Sequence, residues 1–212
     1  MRHSALSDPR RLRIVDTLAT EDLTVADLAD LVGLPGNLLA HHLQVLESAG
    51  LIERRISEGD HRRRYVTLRW DQLPPVVQGE LPSWPIAFVC TRNSARSQFA
   101  AAWWTRQTGV EAASAGSHPA PRVHPVAIEV AFEYDIDLTE ATPAGYEALL
   151  SRSPELIVSV CDRALESGLP VAARHVHWSV PDPVKAGKTA SFRAAFQEIA
   201  QRIDRLSASA AA

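Results

Sequence analysis

The stretch Cys90-Thr91-Arg92-Asn93-Ser94-Ala95-Arg96-Ser97 places a cysteine and an Arg-Ser pair between a short apolar strand and a helical segment. Such a loop can curl so that its backbone amides face one centre, and the helix start adds partial positive charge. Arg96 can hold two oxygens of a tetrahedral oxyanion, and the positive field favours the thiolate of Cys90. Ser97 can donate a hydrogen bond to that sulfur. We therefore expect Cys90 to attack a phosphate-like centre. The alternative, that Cys90 is only a buried structural cysteine, is less favoured. The predicted oxyanion-binding residues are Thr91, Arg92, Asn93, Ser94, Ala95 and Arg96.

A second reactive group is predicted downstream, where Asp182 lies between two prolines in His177-Trp178-Ser179-Val180-Pro181-Asp182-Pro183. The prolines stiffen the loop, so the carboxyl can be held as a general acid for a leaving oxygen. Taken alone, Asp182 would be a simple turn residue. Together with the cysteine loop, it is interpreted as the acid.

These two features resemble the low-molecular-weight tyrosine phosphatase and arsenate reductase superfamily over about residues 85–206. Further matching segments are Ser114-Ala115-Gly116-Ser117, Pro119, Val123-His124-Pro125, Ile136-Asp137-Leu138-Thr139 and Leu156-Ile157-Val158-Ser159-Val160-Cys161-Asp162. The resemblance implies an α/β domain with a four-stranded parallel sheet and the cysteine loop at its carboxyl edge. The strands would lie near 85–89, 111–115, 155–160 and 175–178. A closing helix over 190–206 has Phe192, Phe196, Ile199, Ile203 and Leu206 on one face, as a sheet-covering helix should.

Three features favour the reductase branch of this superfamily over the phosphatases. Gln98-Phe99-Ala100 follows the Arg-Ser pair, where phosphatases usually have proline. Val184 stands where tyrosine phosphatases carry an aromatic residue after Asp-Pro. Cys161 ends a strand in a region that resembles the first resolving cysteine of the reductases. The resemblance implies that arsenate esterified to Cys90 is attacked by Cys161, which leaves a Cys90–Cys161 disulfide. A buried small hydrophobe is an equally good interpretation of Cys161.

The chain departs from the thioredoxin-coupled reductases at two points. Residues 162–173 contain no third cysteine, and Ala101 replaces an acidic residue that helps to hold potassium there. Either an external thiol of the glutathione, mycothiol or bacillithiol type attacks the arseno-cysteine, or the Cys90–Cys161 disulfide is reduced directly. We expect no bound cofactor, but an external reductant of the thioredoxin, mycothiol/mycoredoxin or glutathione type. His175 and His177 share a strand face without a visible third ligand, so no metal is assigned.

The first part of the chain reads as helices followed by a hairpin. Asp8-Pro9 opens one helix, Thr24 with Asp27 caps a second that ends at Gly33, and Asn37 is expected to cap a third. Residues 51–68 form two alternating strands around a Glu-Gly-Asp turn.

Two short helices followed by an arginine-rich hairpin predict a winged helix-turn-helix domain, with its second helix in the DNA major groove. Residues 5–68 resemble the arsenic-repressor (ArsR/SmtB-type) family, most clearly from His42 to Ile52 and in the wing. A helical bundle that binds another protein is the alternative. The first 89 residues contain no thiol, so thiolate sensing of As(III) in this domain is excluded. His41 and His42 point about 100° apart, so they cannot chelate one ion, and we expect one to face the groove and the other to be half-buried. The predicted DNA-binding residues are Asn37, His41, His42, Gln44, Arg62, Arg63 and Arg64.

The chain of 212 residues is therefore divided into a winged helix-turn-helix (α+β) domain over 1–70, a proline-rich linker over 71–84 and an α/β phosphatase-like domain over 85–208. It contains no run of 18 apolar residues, which predicts that the protein does not enter a membrane. Only two cysteines are present, which suits the reducing cytoplasm.

The pairing of these domains predicts a bifunctional arsenic-response protein. Residues 36–68 would bind a double-stranded DNA operator, with the protein acting as a homodimer on palindromic half-sites. Cys90 would reduce arsenate or bind the related phosphate. One alternative is a regulator whose cysteine loop only senses an oxyanion or an oxidant. The other is a low-molecular-weight protein tyrosine phosphatase tethered to DNA.

Overall fold

The computed structural model describes residues 2–72, 85–169 and 173–209, and the chain divides into two compact units, Met1–Pro75 and Val76–Ala212. From residue 73 onward, the linker predicted over 71–84 lies outside the described residues. The limits given above for the linker and for the two domains therefore stay predictions. Within the described ranges, no helix is both long enough and apolar enough to cross a membrane.

The first unit is built from short helices and a small antiparallel sheet. Its helices are α1 (Arg2–Ala5), α2 (Pro9–Leu18), α3 (Val25–Val32) and α4 (Gly36–Ser48). Its strands are β1 (Leu23–Thr24), β2 (Ile52–Ile56) and β3 (Arg64–Leu68), in the order β1-β3-β2, and a 3-10 turn covers Trp70–Gln72. The α3-turn-α4 pair followed by the β2-β3 hairpin confirms the predicted winged helix-turn-helix. The short strand β1 is an addition that the sequence pattern did not predict.

The helix starts in this unit follow local capping chemistry, with one exception. The Asp8 side chain accepts the Arg10 amide at 2.8 Å, and Thr24 Oγ1 accepts the Asp27 amide at 3.2 Å, as predicted. The prediction that Asn37 caps α4 is wrong. The carbonyl of Pro35 accepts the Leu39 amide at 2.9 Å, so the first turn closes before Asn37, which lies inside the helix. Asn37 Oδ1 accepts the amide of the adjacent Leu38 at 2.9 Å, whereas an N-cap side chain bonds an amide two or three residues further on.

A single apolar cluster holds these elements together. It contains Ile14, Leu18, Leu28, Leu39, Leu43, Leu46, Ile52 and Val66, all of them almost fully buried. Because the short helices have only marginal stability alone, this shared burial is the main source of their stability.

The second unit is an α/β fold. Its strands are β4 (Ile86–Cys90), β5 (Ala113–Gly116), β6 (Leu156–Ser159) and β7 (Arg174–His177). Its helices are α5 (Arg96–Thr108), α6 (Pro125–Phe132), α7 (Glu147–Leu150), α8 (Asp162–Glu166), α9 (Pro183–Ala186) and α10 (Thr189–Ser209). The strands form one parallel sheet in the order β5-β4-β6-β7, which confirms the predicted four-stranded parallel sheet.

The register of the sheet decides what meets at its edge. Cys90 pairs with Gly116, and Ser159 pairs with His177, so four strand ends lie along one carboxyl edge. In parallel α/β sheets this edge is where ligands bind. Segments that are distant in sequence therefore converge around Cys90.

The long helix α10 covers the sheet with the face that its sequence pattern predicts. Phe192, Phe196, Ile199, Ile203 and Leu206 are all buried. Phe196 packs edge-to-face against Phe99 of α5, with ring centroids 5.2 Å apart. Because Phe99 lies one turn from Arg96 on the same helix, this contact also fixes the helix that carries the arginine.

Candidate active site and nucleic-acid interface

Cys90 is the last residue of β4, and its thiol is held by two polar groups. The Asn93 amide donates to Sγ at 3.1 Å, and Ser97 Oγ lies 3.0 Å from the same sulfur. Because Asn93 Nδ2 donates to Ser97 Oγ at 2.8 Å, the hydroxyl proton of Ser97 is free to point toward the sulfur. These two contacts hold the sulfur in one position at the start of the loop.

The loop after Cys90 turns its carbonyls outward. A segment that the sequence analysis did not assign to the site supplies the donors: Ser117, His118, Ala120 and His124 donate their amides to the carbonyls of Cys90, Thr91, Arg92 and Ser94, respectively, at 2.8 to 3.2 Å. In a trans peptide the N–H points opposite to the preceding carbonyl. The amides of Thr91, Arg92, Asn93 and Ala95 therefore face the inside of the loop, and the Asn93 contact with sulfur agrees with this. The Arg92 side chain is exposed, so only its amide faces the loop.

Gly116 allows the end of β5 to approach this loop closely. A Cβ atom at residue 116 would lie 2.8 Å from the Thr91 carbonyl oxygen and 2.9 Å from the Asn93 nitrogen. Any side chain here would push the loop out of place. The glycine of the Ser-Ala-Gly-Ser match is thus explained by space and not by backbone freedom.

The Asn93 side chain acts as a brace and faces away from the proposed oxyanion. Asn93 is fully buried with φ at 47°, a left-handed conformation that Asn adopts more easily than most residues. Besides Ser97, its Nδ2 donates to Ser114 Oγ at 3.0 Å, and its Oδ1 accepts from the Ala144 amide at 2.8 Å and from Gln98 Nε2 at 3.1 Å. Ser114, Gln98 and Ala144 were not predicted as site residues.

Arg96 and Asp182, which were predicted to belong to one site, lie close together in the fold. Arg96 is the first residue of α5 and is nearly buried, and its Nη1 donates to the Val180 carbonyl at 2.7 Å. Its Nη2 lies 3.7 Å from Asp182 Oδ1. The same carboxyl oxygen accepts the Val184 amide at 3.1 Å and so caps α9. The carboxyl is 30% exposed, which leaves it open to a ligand at Arg96.

Cys161 is the other sulfur at this edge. It is fully buried at the start of α8. Its Sγ lies 3.3 Å from Oγ1 of Thr91, the residue that follows Cys90. Burial raises the pKa of the Cys161 thiol to about 11, and the neighbouring Cys90 adds to this, while Arg96 opposes it. No disulfide joins Cys90 and Cys161 in this structure.

A buried hydrogen-bond network, which the sequence did not reveal, anchors the segment after Cys161. His177 Nε2 lies 3.1 Å from Asp162 Oδ1, and His177 Nδ1 lies 2.9 Å from Ser159 Oγ. The side chains of Asp162 and His177 are each 3% exposed. These hydrogen bonds join β6, β7 and α8 at the residue that follows Cys161. The sequence pattern placed His177 on one strand face with His175, but the partners of His177 depend on the β6-β7 register.

Metal-binding groups are absent from the part of the chain that the structure describes: no three His, Cys, Asp or Glu side chains there are close enough to hold an ion.

The predicted DNA-binding residues of α4 separate into two sets. Asn37, His41 and Gln44 are exposed and lie at helical spacing on one face. The prediction that His42 contacts DNA is wrong, because His42 is 3% exposed and packed among the core residues Leu39 and Leu46. Its ring nitrogens have no hydrogen-bond partner within the described residues, and burial lowers its pKa.

The wing presents its arginines to solvent, partly compensated by one aspartate. Arg62, Arg63 and Arg64 are all exposed, and the Arg62 side chain is 90% exposed. Arg62 Nε lies 2.9 Å from Asp60 Oδ1, and this contact lowers the pKa of Asp60 to about 2. The tip therefore carries three arginines and two carboxylates, Glu58 and Asp60, and Asp60 is bound to Arg62.

Comparisons with known proteins match each unit separately. A helix-turn-helix domain model matches residues 6–55, and the model of low molecular weight phosphotyrosine protein phosphatase matches residues 85–212. An arsenate reductase of Bacillus cereus (strain ATCC 14579) is 40% identical over 128 residues, which are 58% of this chain and 92% of that protein.

Solved structures agree with the fold of the second unit. The arsenate reductase of Archaeoglobus fulgidus matches with a TM-score of 0.51 at 27% identity, covering 58% of this chain and 98% of that one. The tyrosine phosphatase Wzb of Escherichia coli K30 matches with a TM-score of 0.54 at 21% identity, covering 59% and 97%, which supports the fold alone.

Proposed function

This chain belongs to the low molecular weight phosphotyrosine protein phosphatase family, and we propose that its second unit is a thiol-dependent arsenate reductase joined to a DNA-binding regulator. The observation that carries the choice of reductase is the second thiol. Cys161 contacts the Cys90 loop through Thr91, at 3.3 Å. A phosphatase needs one nucleophilic sulfur, whereas a reductase needs a second sulfur to accept the first in a disulfide. The arsenate reductase of Bacillus cereus, at 40% identity, supports the same choice.

Arsenate would bind in the loop that follows Cys90. The inward amides of Thr91, Arg92, Asn93 and Ala95 face the anion, and the guanidinium of Arg96 takes two of its oxygens. Arg96 already lies against Val180 and Asp182, so its position is fixed before the ligand arrives. This preorganisation lowers the cost of binding.

In the first step, the Cys90 thiolate attacks arsenic, so an S–As bond forms and an As–O bond breaks. The leaving oxygen takes a proton from Asp182 and departs as water, and arsenic stays As(V) in the ester. Asp182 is suited to this role because it lies within reach of Arg96, the residue that orients the anion. Ser97 and Asn93 hold the sulfur during the attack.

In the second step, Cys161 attacks the sulfur of Cys90. An S–S bond forms, and the electron pair of the broken S–As bond stays on arsenic, which becomes As(III). The two thiols are oxidised by two electrons, and the proton of Cys161 leaves on the released arsenite. An external dithiol, or two small thiols, must then reduce the Cys90–Cys161 disulfide before the next turnover.

The residue after Asp182-Pro183 also favours a small anion over an aryl phosphate. Val184 is 41% exposed at a position that offers no aromatic ring for a phosphotyrosine side chain to stack on. Gln98, which follows the Arg-Ser pair, donates a hydrogen bond to the Asn93 side chain and so supports the conformation of the loop.

For the first unit, we propose binding to a double-stranded DNA operator as a homodimer. The exposed face of Asn37, His41 and Gln44 is available for base edges, and the wing arginines for phosphates. Two copies of the unit would match the two half-sites of a palindrome.

The test of the enzyme is arsenite release from arsenate by the full chain, with thioredoxin, mycothiol-mycoredoxin and glutathione systems supplied in turn. We expect turnover with at least one system, none for Cys90→Ser, and loss of the intramolecular disulfide for Cys161→Ser. Unchanged turnover in Cys161→Ser would contradict attack of Cys161 on Cys90 as the second step. No turnover with any reductant, in a chain that still binds DNA, would overturn the reductase proposal and leave a sensor.

The test of DNA binding is titration of a duplex at several salt concentrations. Replacing Arg62, Arg63 and Arg64 by Ala should weaken binding and flatten its salt dependence, since each lost phosphate contact reduces the slope by about 0.9. Equal slopes for the variant and the original chain would contradict phosphate contact by the wing.

A further inference from the structure

Tyr146 lies on a segment that is fastened to the cysteine loop. The Gly116 amide donates to the Ala144 carbonyl at 2.8 Å, and the Ala144 amide donates to Asn93 Oδ1 at 2.8 Å. Gly145 continues the contact by forming an isolated bridge with Gly116. The residue that follows, Tyr146, is therefore positioned by the same groups that position the loop.

The hydroxyl of Tyr146 is buried and lacks a hydrogen-bond partner among the described residues. Ser117 Oγ lies near enough to influence it, but that oxygen is engaged with His118 Nδ1 at 3.1 Å and forms no hydrogen bond of normal geometry with the tyrosine. Buried polar groups without partners are rare in native proteins and destabilise the fold, so each one asks for an explanation.

The surroundings of this hydroxyl point to an anionic partner. Burial raises the pKa of Tyr146 well above its usual range, and charge on Cys161 and on Cys90 raises it further. The group therefore stays protonated at working pH, as a buried donor without a hydrogen-bond partner of normal geometry among the described residues. Backbone geometry places the residue at the same edge of the sheet as Cys90, since Gly145 bridges to Gly116 and Gly116 pairs with Cys90.

We propose that the Tyr146 hydroxyl donates a hydrogen bond to a tetrahedral oxyanion held at Cys90, on the side of that anion that faces Cys161. The inference rests on the proposed function, because it assumes that an arsenate- or phosphate-like anion occupies the loop. The ligand supplies the missing acceptor, and a charged acceptor makes this bond stronger than one between neutral groups. The loop amides and Arg96 bind the anion from the loop, and Tyr146 completes its coordination from the α7 segment.

This role leaves a thermodynamic signature that a structural tyrosine would lack. Removing an unpartnered buried hydroxyl does not destabilise the free protein, and it relieves the cost of burial. Removing a donor from the bound state weakens the ligand. Tyr146→Phe should therefore be as stable as the original chain, or more so, without ligand, and should gain less stability when ligand is added.

The experiment uses inorganic phosphate as the probe, because it binds without turnover. Binding is measured by calorimetry and by protection of Cys90 from iodoacetamide, for the full chain, Tyr146→Phe and Tyr134→Phe. Tyr134 is the matched control: its hydroxyl accepts from Gln197 at 3.0 Å, and its ring stacks on Phe196 at 4.1 Å. We expect phosphate affinity to fall about tenfold or more in Tyr146→Phe, as for loss of a charged hydrogen bond, and to stay unchanged in Tyr134→Phe.

Two outcomes would overturn the proposal. Equal phosphate affinity in Tyr146→Phe, with altered alkylation of Cys161, would assign the hydroxyl to the second thiol. A lower melting temperature of ligand-free Tyr146→Phe would assign it to the fold. The proposed reductase can fail on its own: a chain that binds phosphate through Tyr146 but releases no arsenite keeps this inference and loses the reductase.

Discussion

Thr91 Oγ1 lies 3.3 Å from Cys161 Sγ, so the residue next to the first thiol is in contact with the second. β4 carries Cys90 and β6 leads into Cys161, and these strands are neighbours in the parallel sheet, which places the two segments side by side. The thiol contact is therefore a consequence of strand order. It also gives the threonine a measurable role.

Thr91→Val should slow formation of the Cys90–Cys161 disulfide. The hydroxyl can donate to the Cys161 thiolate, and losing a hydrogen bond to a charged group costs about 1.5 to 3 kcal/mol, or roughly a tenfold to hundredfold change in rate. Because burial raises the pKa of Cys161 to about 11, the rate in the original chain should rise with pH up to that value. Single-turnover disulfide formation after arsenate addition, followed by mass spectrometry over pH 7 to 10, measures both effects.

The matched control is Thr142→Val, whose hydroxyl is exposed and bonds only weakly, at 3.4 Å, to the Glu140 carbonyl. It should leave the rate unchanged. Equal rates for Thr91→Val and Thr142→Val would show that the 3.3 Å contact has no part in the second step.

Asn93 allows a comparison that reverses the usual order of alanine and glycine. Both Asn93→Ala and Asn93→Gly lose the side-chain bonds to Ser97 and Ser114, so both should reduce stability and activity. Only alanine is also strained at φ 47°, so we expect Asn93→Ala to be less stable than Asn93→Gly by about 1 kcal/mol. Hydrogen exchange of peptides from α5 measures this difference. Alanine equal to or above glycine would contradict the left-handed conformation of residue 93.

Much of the active site could be predicted because its chemistry is contiguous in sequence. Cys90, Arg96 and Ser97 lie within one loop and one helix turn, so local geometry brings them together. The partners of this loop could not be predicted in the same way. The donors from Ser117 to His124 and the pairing of His177 with Asp162 depend on which strands are neighbours, and hydrophobic periodicity does not contain strand order.

The error at His42 has a different origin, because the information was present. His42 lies three residues after Leu39 and four before Leu46, and both leucines are buried, so helical spacing places it on the core face. Counting from the leucines would have separated His42 from His41. The error at Asn37 came from giving a side-chain cap more weight than the preceding proline turn.

Asp60→Asn should strengthen DNA binding by the wing. Asp60 is ionised at working pH, since contact with Arg62 lowers its pKa to about 2, and it holds Arg62 through two bonds of 2.9 and 3.1 Å. The substitution removes a negative charge and releases the guanidinium for a phosphate. We expect a several-fold gain in affinity and a salt-dependence slope steeper by about 0.9.

Asp71→Asn is the control, because Asp71 pairs with Arg69 at 3.3 Å outside the hairpin turn. Duplex titrations at three salt concentrations compare the two variants. The same change in both, or none in Asp60→Asn, would mean that the hairpin tip does not approach phosphate.

His42 should make the first unit lose stability as the pH falls. Burial lowers its pKa from the ordinary value of 6.5, with Arg11 and His41 adding to the effect and Asp8 opposing it. Below about pH 6.5 the unfolded chain therefore takes up a proton that the folded chain does not, and the free energy of unfolding decreases. Between the folded and unfolded pKa values, each pH unit costs up to about 1.4 kcal/mol.

Hydrogen exchange of peptides from α4, in the full chain at pH 7.5 and 5.5 with correction for intrinsic rates, measures this loss. His42→Leu keeps an apolar side chain in the core and removes the titration, so its stability should change less over the same range. His41→Leu, at the exposed neighbour, is the control and should keep the pH dependence of the original chain. If His42→Leu and the original chain lose protection equally, the acid sensitivity comes from other groups.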